Sequence, residues 1–212
     1  MSHYIAILFV AAASLFAQSE AGIISVEELR NPLTGKSLKL ILTAQQHLRS
    51  GQREQGLEEL RRAMKDPRVM PYAISILGAE HIKAGDFNVA VRELQQAVRL
   101  LPGRAENLSN LAYALYLTGQ IEPGLREARK ALQMDPARPK TRLVLGMILL
   151  RQGSHDAEAI AYLQAATGEI PSAHLTLADH YDRTGDAREA ENERRAYSIT
   201  ATSLLAGSKG SR

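Results

Sequence analysis

The sequence predicts an all-α protein made of repeated helix pairs, and its composition, glycine spacing and small-residue pattern all indicate that fold class. The chain has 212 residues, of which 45% are hydrophobic, so it can bury a sizeable core. Aromatic residues make up only 5%, tryptophan is absent, and Ala, Leu, Arg, Glu and Gln dominate. These residues lose little conformational freedom in a helix, which favours helices throughout.

A loop glycine recurs at a regular interval, each time after a helical segment. The glycines are Gly51, Gly85, Gly119, Gly153 and Gly185, with steps of 34, 34, 34 and 32 residues between them. A step of this length is that of one helix–turn–helix unit. The chain is therefore divided into about five units, covering residues 37–70, 71–104, 105–138, 139–170 and 171–204.

Small residues recur within each unit and indicate where helices pack closely. In the first helix they are Gly78, Ala112, Gly146 and Ala178. In the second helix Ala97, Ala131 and Ala166 let one pair pack on the next, and Pro102 and Pro136 end the helix. Each loop glycine supplies the left-handed conformation that ends the first helix. Because each pair alone has an unburied apolar face, stacking of pairs makes the core.

In its period and small-residue placement the chain resembles the tetratricopeptide repeat (TPR) family over residues 37–204. The resemblance implies a right-handed α-solenoid of about five TPR repeats. The chain departs from the family at the first aromatic position of the motif, which is occupied by Leu40, Ile74, Leu108, Arg142 and His174. Apolar substitutes are common there, so only Arg142 and His174 are unexpected. Arg194 also stands where the fifth repeat should have an apolar residue.

The N-terminus has the features of an export signal. Residues 4–17 (YIAILFVAAASLFA) form an uncharged apolar run that is too short to span a bilayer comfortably. Ser19-Glu20-Ala21 fits the small-x-small rule for cleavage, and Ala17 offers a second cut site. We expect residues 1–21 to be a cleaved signal peptide and the protein to be periplasmic or secreted, without stable membrane insertion after cleavage. An uncleaved anchor is the alternative.

Two further segments flank the repeats. Residues 22–36 form a lead-in, and its Gly35-Lys36 followed by Ser37 is similar to the end of a phosphate-binding loop. Arg30 stands where that loop needs its first glycine, so we interpret the segment as the entry to the first repeat, with Thr34 or Ser37 as a helix cap. Residues 205–212 are predicted to be a disordered tail.

Catalytic, metal and cofactor sites are not expected. The chain has no cysteine, and its six histidines show no metal-ligand spacing or catalytic motif. His47 and His81, which are 34 residues apart, are interpreted as histidines that pack between helices. The net charge of +3 arises from interleaved charges of both signs, whereas a phosphate-binding stripe should carry one sign. We therefore predict neither an enzyme nor a nucleic-acid-binding protein.

The family resemblance implies that the first helices line a concave groove, through positions 2, 5, 6, 9, 12 and 13 of each repeat; we call these the groove positions. The candidate peptide-binding residues at these positions are Tyr72, Ser75, Ala79, Lys83, Ser109, Asn110, Tyr113, Tyr116, Lys140, Met147 and Arg151. Tyrosine supplies rigid area with a polar tip, which suits a binding surface. Only Asn110 and Lys140 match the carboxylate clamp of some family members, so recognition of that kind is not expected.

The sequence thus predicts a non-catalytic scaffold that binds another protein or an extended peptide in the groove, in the cell envelope. The alternative is a structural or oligomerising spacer whose groove is filled by its own residues 22–36. Association with a second copy of the chain is compatible with both.

Overall fold

The fold is all-α in the residues that the computed structural model describes, which are 33, 35–153 and 155–209. The predicted signal peptide and residues 22–32 of the lead-in lie outside these ranges. The described helices, numbered here in chain order, are α1 (Gly35–Arg49), α2 (Arg53–Ala63), α3 (Met70–Ala84), α4 (Phe87–Leu100), α5 (Ala105–Leu117), α6 (Ile121–Met134), α7 (Pro139–Gln152), α8 (Asp156–Ala166), α9 (Ser172–Thr184) and α10 (Ala187–Lys209).

The loop glycines have the conformation that the sequence predicts. Gly51, Gly85, Gly119, Gly153 and Gly185 all have positive φ, between 72° and 91°. At Gly85 and Gly153 the left-handed residue directly follows the last residue of α3 and α7, so it ends the helix and turns the chain back. The sequence spacing therefore located these turns correctly.

The helices form two compact units, which meet in sequence between Met134 and Asp135. In the first unit α1 packs on α2, α3 on α4 and α5 on α6, and α2 also packs on α3 and α4 on α5. In the second unit α7 packs on α8 and α9 on α10, with α8 also against α9. Sequence neighbours are thus neighbours in space within each unit, as in a helical repeat.

Glycine and alanine bring the helices of a pair into close contact. A Cβ atom added at Gly78 of α3 would lie 2.7 Å from Cγ of Leu94 in α4. The alanines predicted to pack between helices in α4, α6 and α8, which are Ala97, Ala131 and Ala166, are completely buried. The close approach predicted at Gly78 is confirmed, and the three alanines are buried, as packing between helices requires.

The polar residues at apolar motif positions bind neighbouring polar groups of the second unit. Arg142 Nε donates to the carbonyl oxygen of Pro136 at 3.1 Å, and His174 Nδ1 lies 2.6 Å from Glu193 Oε2. Arg194 pairs with Asp182. These side chains replace apolar packing by hydrogen bonds and ion pairs, which explains how the repeat accepts them.

Two sequence-based boundaries need correction. Ser37 is not a helix cap, because α1 begins at Gly35 and the Ser37 hydroxyl donates to Asp66 Oδ2 at 3.2 Å. The disordered tail was predicted to start at residue 205, but α10 continues to Lys209. Leu204 and Ala206 are good helix formers, which favours this extension.

Candidate functional site

The groove positions of α3 combine buried and accessible residues. Tyr72 and Ser75 are buried, Ala79 is half-buried and Lys83 is exposed. Tyr72 makes a cation–π contact with Arg104, whose guanidinium carbon is 5.8 Å from the centroid of the Tyr72 ring. Tyr72 is therefore part of the packed structure of the first unit, with one ring face against a charge.

Lys83 belongs to a charged cluster that is centred on a buried carboxylate. Glu80 is buried, and its carboxylate pairs with the Lys83 ammonium and lies 3.8 Å from Arg53 Nε. Arg53 also donates from Nη2 to the carbonyl oxygen of Glu80 at 3.3 Å. Lys83 thus has a structural partner in its own helix, and a ligand carboxylate would have to compete with Glu80 for it.

The groove positions of α5 are more deeply buried than the sequence predicts for an open binding surface. Ser109, Asn110 and Tyr113 are buried, and Tyr113 has only 1% of its surface exposed. Its ring is stacked on Tyr116, with centroids 6.4 Å apart and an interplanar angle of 11°. Tyr116 is half-buried. Burial, and then the neighbouring Tyr116 phenol, raise the pKa of Tyr113 well above its usual value.

A polar seam joins α3 to α5. The hydroxyl of Ser75 donates to Oδ1 of Asn107, which is completely buried. Among the described residues, Asn107 Nδ2 and Ser109 Oγ have no hydrogen-bond partner. A buried donor without a partner costs about 1–3 kcal/mol of stability. A further hydrogen-bond acceptor next to these two atoms would therefore stabilise the contact between α3 and α5.

The second unit carries the remaining predicted residues on α7. Lys140 and Met147 are half-buried, and Arg151 is exposed. Each of the three therefore keeps some accessible surface within its own unit. The assignment of all the candidate residues to a peptide site stays a prediction.

Two residues that sequence reasoning missed are the most accessible apolar groups at groove positions. Leu38 and Leu42 occupy positions 2 and 6 of the first repeat, so they are in register with Tyr72 and Ile76. They are 39% and 54% exposed, and their i, i+4 spacing places them on one face of α1. Applying the groove-position rule to residues 37–70 would have identified both.

The described part of the chain offers neither a metal-binding cluster nor a membrane span. It contains no group of three or more His, Cys, Asp or Glu residues that could hold a metal ion. Within the same residues, none of the helices combines the length and the apolar character that a membrane span requires.

Helix pairs that repeat along the chain and pack on their sequence neighbours define an all-α helical solenoid. The sequence profile of the tetratricopeptide repeat family matches residues 77–122 and 119–174. Residues 77–174 therefore consist of tetratricopeptide repeats, an architecture that is typical of protein-interaction scaffolds. No curated protein matches the chain significantly.

Solved structures share this fold. PilW, a type IV pilus biogenesis factor, superposes with a TM-score of 0.69 and 21% identity, covering 80% of each chain. TTC0263, a TPR protein of Thermus thermophilus, gives 0.63 and 22%, covering 80% of this chain and 99% of its own. MamA from Desulfovibrio magneticus RS-1, in a structure of residues 41 to the end, gives 0.61 and 20%, covering 81% and 98%. At these identities the likeness shows the fold alone.

Proposed function

We propose that the chain is a non-catalytic scaffold that binds an extended peptide segment of another protein along the groove positions of α1, α3 and α5. The observation that carries this proposal is the accessible pair Leu38 and Leu42. They stand in repeat register with Tyr72 and Ile76 of α3, and Ile76 is half-buried, so the accessible apolar surface lies mainly on α1 and continues to Ile76.

The energetics favour an apolar ligand at this surface. Full burial of a leucine side chain contributes about 1.5–3 kcal/mol, and Leu42 has more than half of its surface still available. Tyr116 adds a half-buried aromatic ring that can pack against a ligand. Such a surface selects peptides by apolar anchors rather than by charge.

A displayed library of random 12-residue peptides tests the proposal. Peptides that bind the full chain should bind at least about tenfold more weakly to a Leu38→Ser/Leu42→Ser variant, because tenfold corresponds to about 1.4 kcal/mol. The matched control is Leu100→Ser/Met134→Ser, which removes apolar side chains of similar exposure, 38% and 44%, outside the groove positions. Equal weakening in both variants would contradict the proposed site.

The burial of each tyrosine decides whether its mutation can report on binding. Replacing Tyr113 by alanine would remove a side chain that is 1% exposed and destabilise the unit by about 3–5 kcal/mol. A loss of binding in that variant would therefore reflect unfolding. Tyr116→Ala and the Leu38/Leu42 pair alter accessible surface instead.

Export to the cell envelope is part of the same proposal. Its support is the sequence of residues 1–21, with an apolar run followed by small residues at Ser19 and Ala21. Mass spectrometry of the protein purified from a bacterial envelope fraction should find a chain that begins at Gly22 or Gln18. A chain that retains residues 1–17 would contradict cleavage and indicate an anchor.

The burial of Tyr113, Ser109 and Asn110 favours a second candidate, a structural or oligomerising spacer whose groove positions are filled by the chain itself. In that case no library peptide should bind the full chain, and deletion of residues 22–36 should lower stability or change the oligomeric state without producing peptide binding. Thermal unfolding and light scattering of the two chains distinguish the candidates.

A further inference from the structure

The outer face of α4 carries two arginines whose charge is not neutralised. Arg92 and Arg99 are exposed and stand about two turns apart on one face of the helix. The buried residues of α4, from Ala90 to Ala97, lie towards the other side. Neither guanidinium has an ion pair or a hydrogen bond among the described residues. Both charges are therefore accessible to a partner.

The second helix of the next pair repeats this face. Arg126 of α6 comes 34 residues after Arg92, so the two share a repeat position, and Arg129 follows one turn later. Both are exposed, and neither forms an ion pair within the described part of the chain, not even with Glu122, the exposed acid one turn before Arg126. Arg92, Arg99, Arg126 and Arg129 are called the basic face here, and all four belong to the first unit.

Two other carboxylates of the same helices bind elsewhere. Glu93 Oε2 of α4 lies 2.6 Å from His81 Nδ1 of α3, and Glu127 Oε1 of α6 accepts a hydrogen bond from Lys130 Nζ at 2.9 Å. The side chains of Glu93 and Glu127 are only 24% and 18% exposed. Charges that are interleaved in the sequence are thus separated on the surface, where the arginines dominate.

The two units also differ in charge. Residues 35–134 of the first unit contain fifteen Lys and Arg against ten Asp and Glu, whereas residues 135–209 of the second unit contain nine against ten. An excess of positive charge attracts anionic partners to the unit that carries it. The basic face is therefore suited to a partner with many negative charges.

Two exposed apolar side chains favour one class of anionic partner. Leu100 and Met134 end α4 and α6 at the same repeat position and are 38% and 44% exposed, and Leu100 directly follows Arg99. Nucleic acid backbones and acidic peptide segments supply mainly anionic groups. A membrane of anionic lipids supplies phosphates with hydrocarbon directly beneath them, so it can bind the arginines and the apolar side chains together.

We propose that the basic face, together with Leu100 and Met134, binds the surface of a membrane that contains anionic phospholipids. The guanidinium groups bind the lipid phosphates, and the two apolar side chains enter the boundary between headgroups and hydrocarbon. This is attachment to a membrane surface and involves no membrane span. It goes beyond the proposed peptide binding, because the groove positions lie on the first helices of the pairs and the basic face lies on the second helices.

Vesicle flotation of the full chain tests the proposal. Vesicles of phosphatidylglycerol mixed with phosphatidylcholine are compared with vesicles of phosphatidylcholine alone, so that any binding through the uncharged residues 4–17 is measured separately. The chain should bind the anionic vesicles at least about tenfold more tightly. NaCl at about 1 M shortens the screening length to about 3 Å and should remove this preference. Equal affinity for the two kinds of vesicle would overturn the proposal.

Two variants of equal charge locate the site. The test variant is Arg92→Gln/Arg99→Gln/Arg126→Gln/Arg129→Gln, and the control replaces four exposed arginines that have ion pairs, Arg61→Gln/Arg62→Gln/Arg194→Gln/Arg195→Gln. The preference for anionic vesicles should fall at least about tenfold in the test variant and persist in the control. Equal losses would show an effect of net charge alone and overturn the site. Circular dichroism establishes that both variants are folded.

Tryptophan fluorescence provides a second readout, because the chain has no tryptophan of its own. The emission of Leu100→Trp should move to shorter wavelength when anionic vesicles are added. The control is Ile199→Trp in α10, at a residue that is 71% exposed and outside the basic face, and its emission should stay unchanged. Unchanged emission of Leu100→Trp, or an equal shift in both variants, would overturn the assigned contact.

A glutamate homopeptide and a single-stranded DNA test the competing classes of anionic partner. Both should bind the full chain more weakly than the anionic vesicles do. If either binds more tightly, and the variant that lacks the four arginines of the basic face loses that binding, the face belongs to that partner and the assignment to a membrane is overturned.

Discussion

Leu163 of α8 lies so close to Gly146 of α7 that a Cβ atom added at residue 146 would be 2.6 Å from Leu163 Cγ. The same atom would be 3.0 Å from the carbonyl oxygen of Ala159, which belongs to the backbone and cannot rotate away. We therefore expect Gly146→Ala to destabilise the second unit by about 1–3 kcal/mol, although alanine is the better helix former. Urea unfolding followed by circular dichroism measures the change.

Gly168→Ala is the matched control for this substitution. A Cβ atom there would have no neighbour within 4 Å, and the residue has no positive φ. Its unfolding midpoint should stay close to that of the wild type or rise slightly. If Gly146→Ala and Gly168→Ala unfold at the same urea concentration, the close approach of α7 and α8 is not a requirement of the fold.

The buried carboxylate of Glu80 should contribute more to stability than a carboxylate in an exposed ion pair. Glu80 binds Lys83 of its own helix and Arg53 of α2, and its side chain is 6% exposed. Glu80→Gln removes the negative charge from between two cations, and we expect a loss of about 1–3 kcal/mol in the free energy of unfolding. Urea unfolding at neutral pH measures this loss.

Glu58→Gln provides the comparison for the Glu80 variant. Glu58 lies 3.1 Å from Arg62 on the surface of α2, with both side chains at least half exposed. Exposed helical pairs contribute about 0.3–0.5 kcal/mol, so this variant should be almost as stable as the wild type. Equal losses in the two variants would contradict the structural role of Glu80.

The sequence predicted the turns of the fold well because those turns depend on local chemistry. A turn that needs φ near +80°, such as the turn at Gly85, favours glycine over other residues, so the residue type alone indicates the turn. The close contacts of Gly78 and Gly146 were predictable for the same reason, since a missing side chain at a fixed repeat position indicates close packing.

The candidate site was less predictable because burial depends on residues that are distant in sequence. Tyr113 occupies a groove position, yet its exposure depends on everything that packs over α5. The partner of Lys83 depends on the rotamers of Glu80 and Arg53, which repeat register does not specify. Leu38 and Leu42 are the opposite case. The repeat register puts them at groove positions, but the candidate residues were taken only from the central repeats.

Burial of Tyr113 should make the first unit sensitive to alkaline pH. Because the pKa of its phenol is raised in the folded protein, the unfolded chain ionises first as the pH rises above about 10. Stability therefore falls with pH above that value, and Tyr113→Phe should remove part of this fall. Urea midpoints between about pH 9 and pH 11 measure the effect.

Tyr162→Phe controls for the loss of a phenol hydroxyl, because Tyr162 is a half-buried tyrosine of the second unit. Its pH profile should follow that of the wild type more closely than the profile of Tyr113→Phe does. If both variants lose stability with pH in the same way, the burial of Tyr113 does not govern the alkaline transition.

Asp66 should make the junction between α2 and α3 sensitive to acid. Its carboxylate accepts hydrogen bonds from the Arg68 side chain at 3.1 Å and 3.3 Å, from the Arg68 backbone N–H at 3.0 Å and from Ser37 Oγ at 3.2 Å. These bonds, with the Arg68 side chain first, lower the pKa of Asp66 below its usual value. The resulting stabilisation is present above the unfolded-state pKa and disappears as the pH falls through the folded-state pKa.

Two measurements check the contribution of Asp66. Carbon-detected NMR titration should find a lowered Asp66 pKa in the wild type and a value nearer to normal in Arg68→Ala, because that variant lacks the guanidinium that binds the carboxylate. Asp66→Asn should be less stable than the wild type at pH 7 and should lose less stability on acidification, since it has no carboxylate to protonate. Identical acid profiles for the wild type and Asp66→Asn would contradict the contribution of this carboxylate.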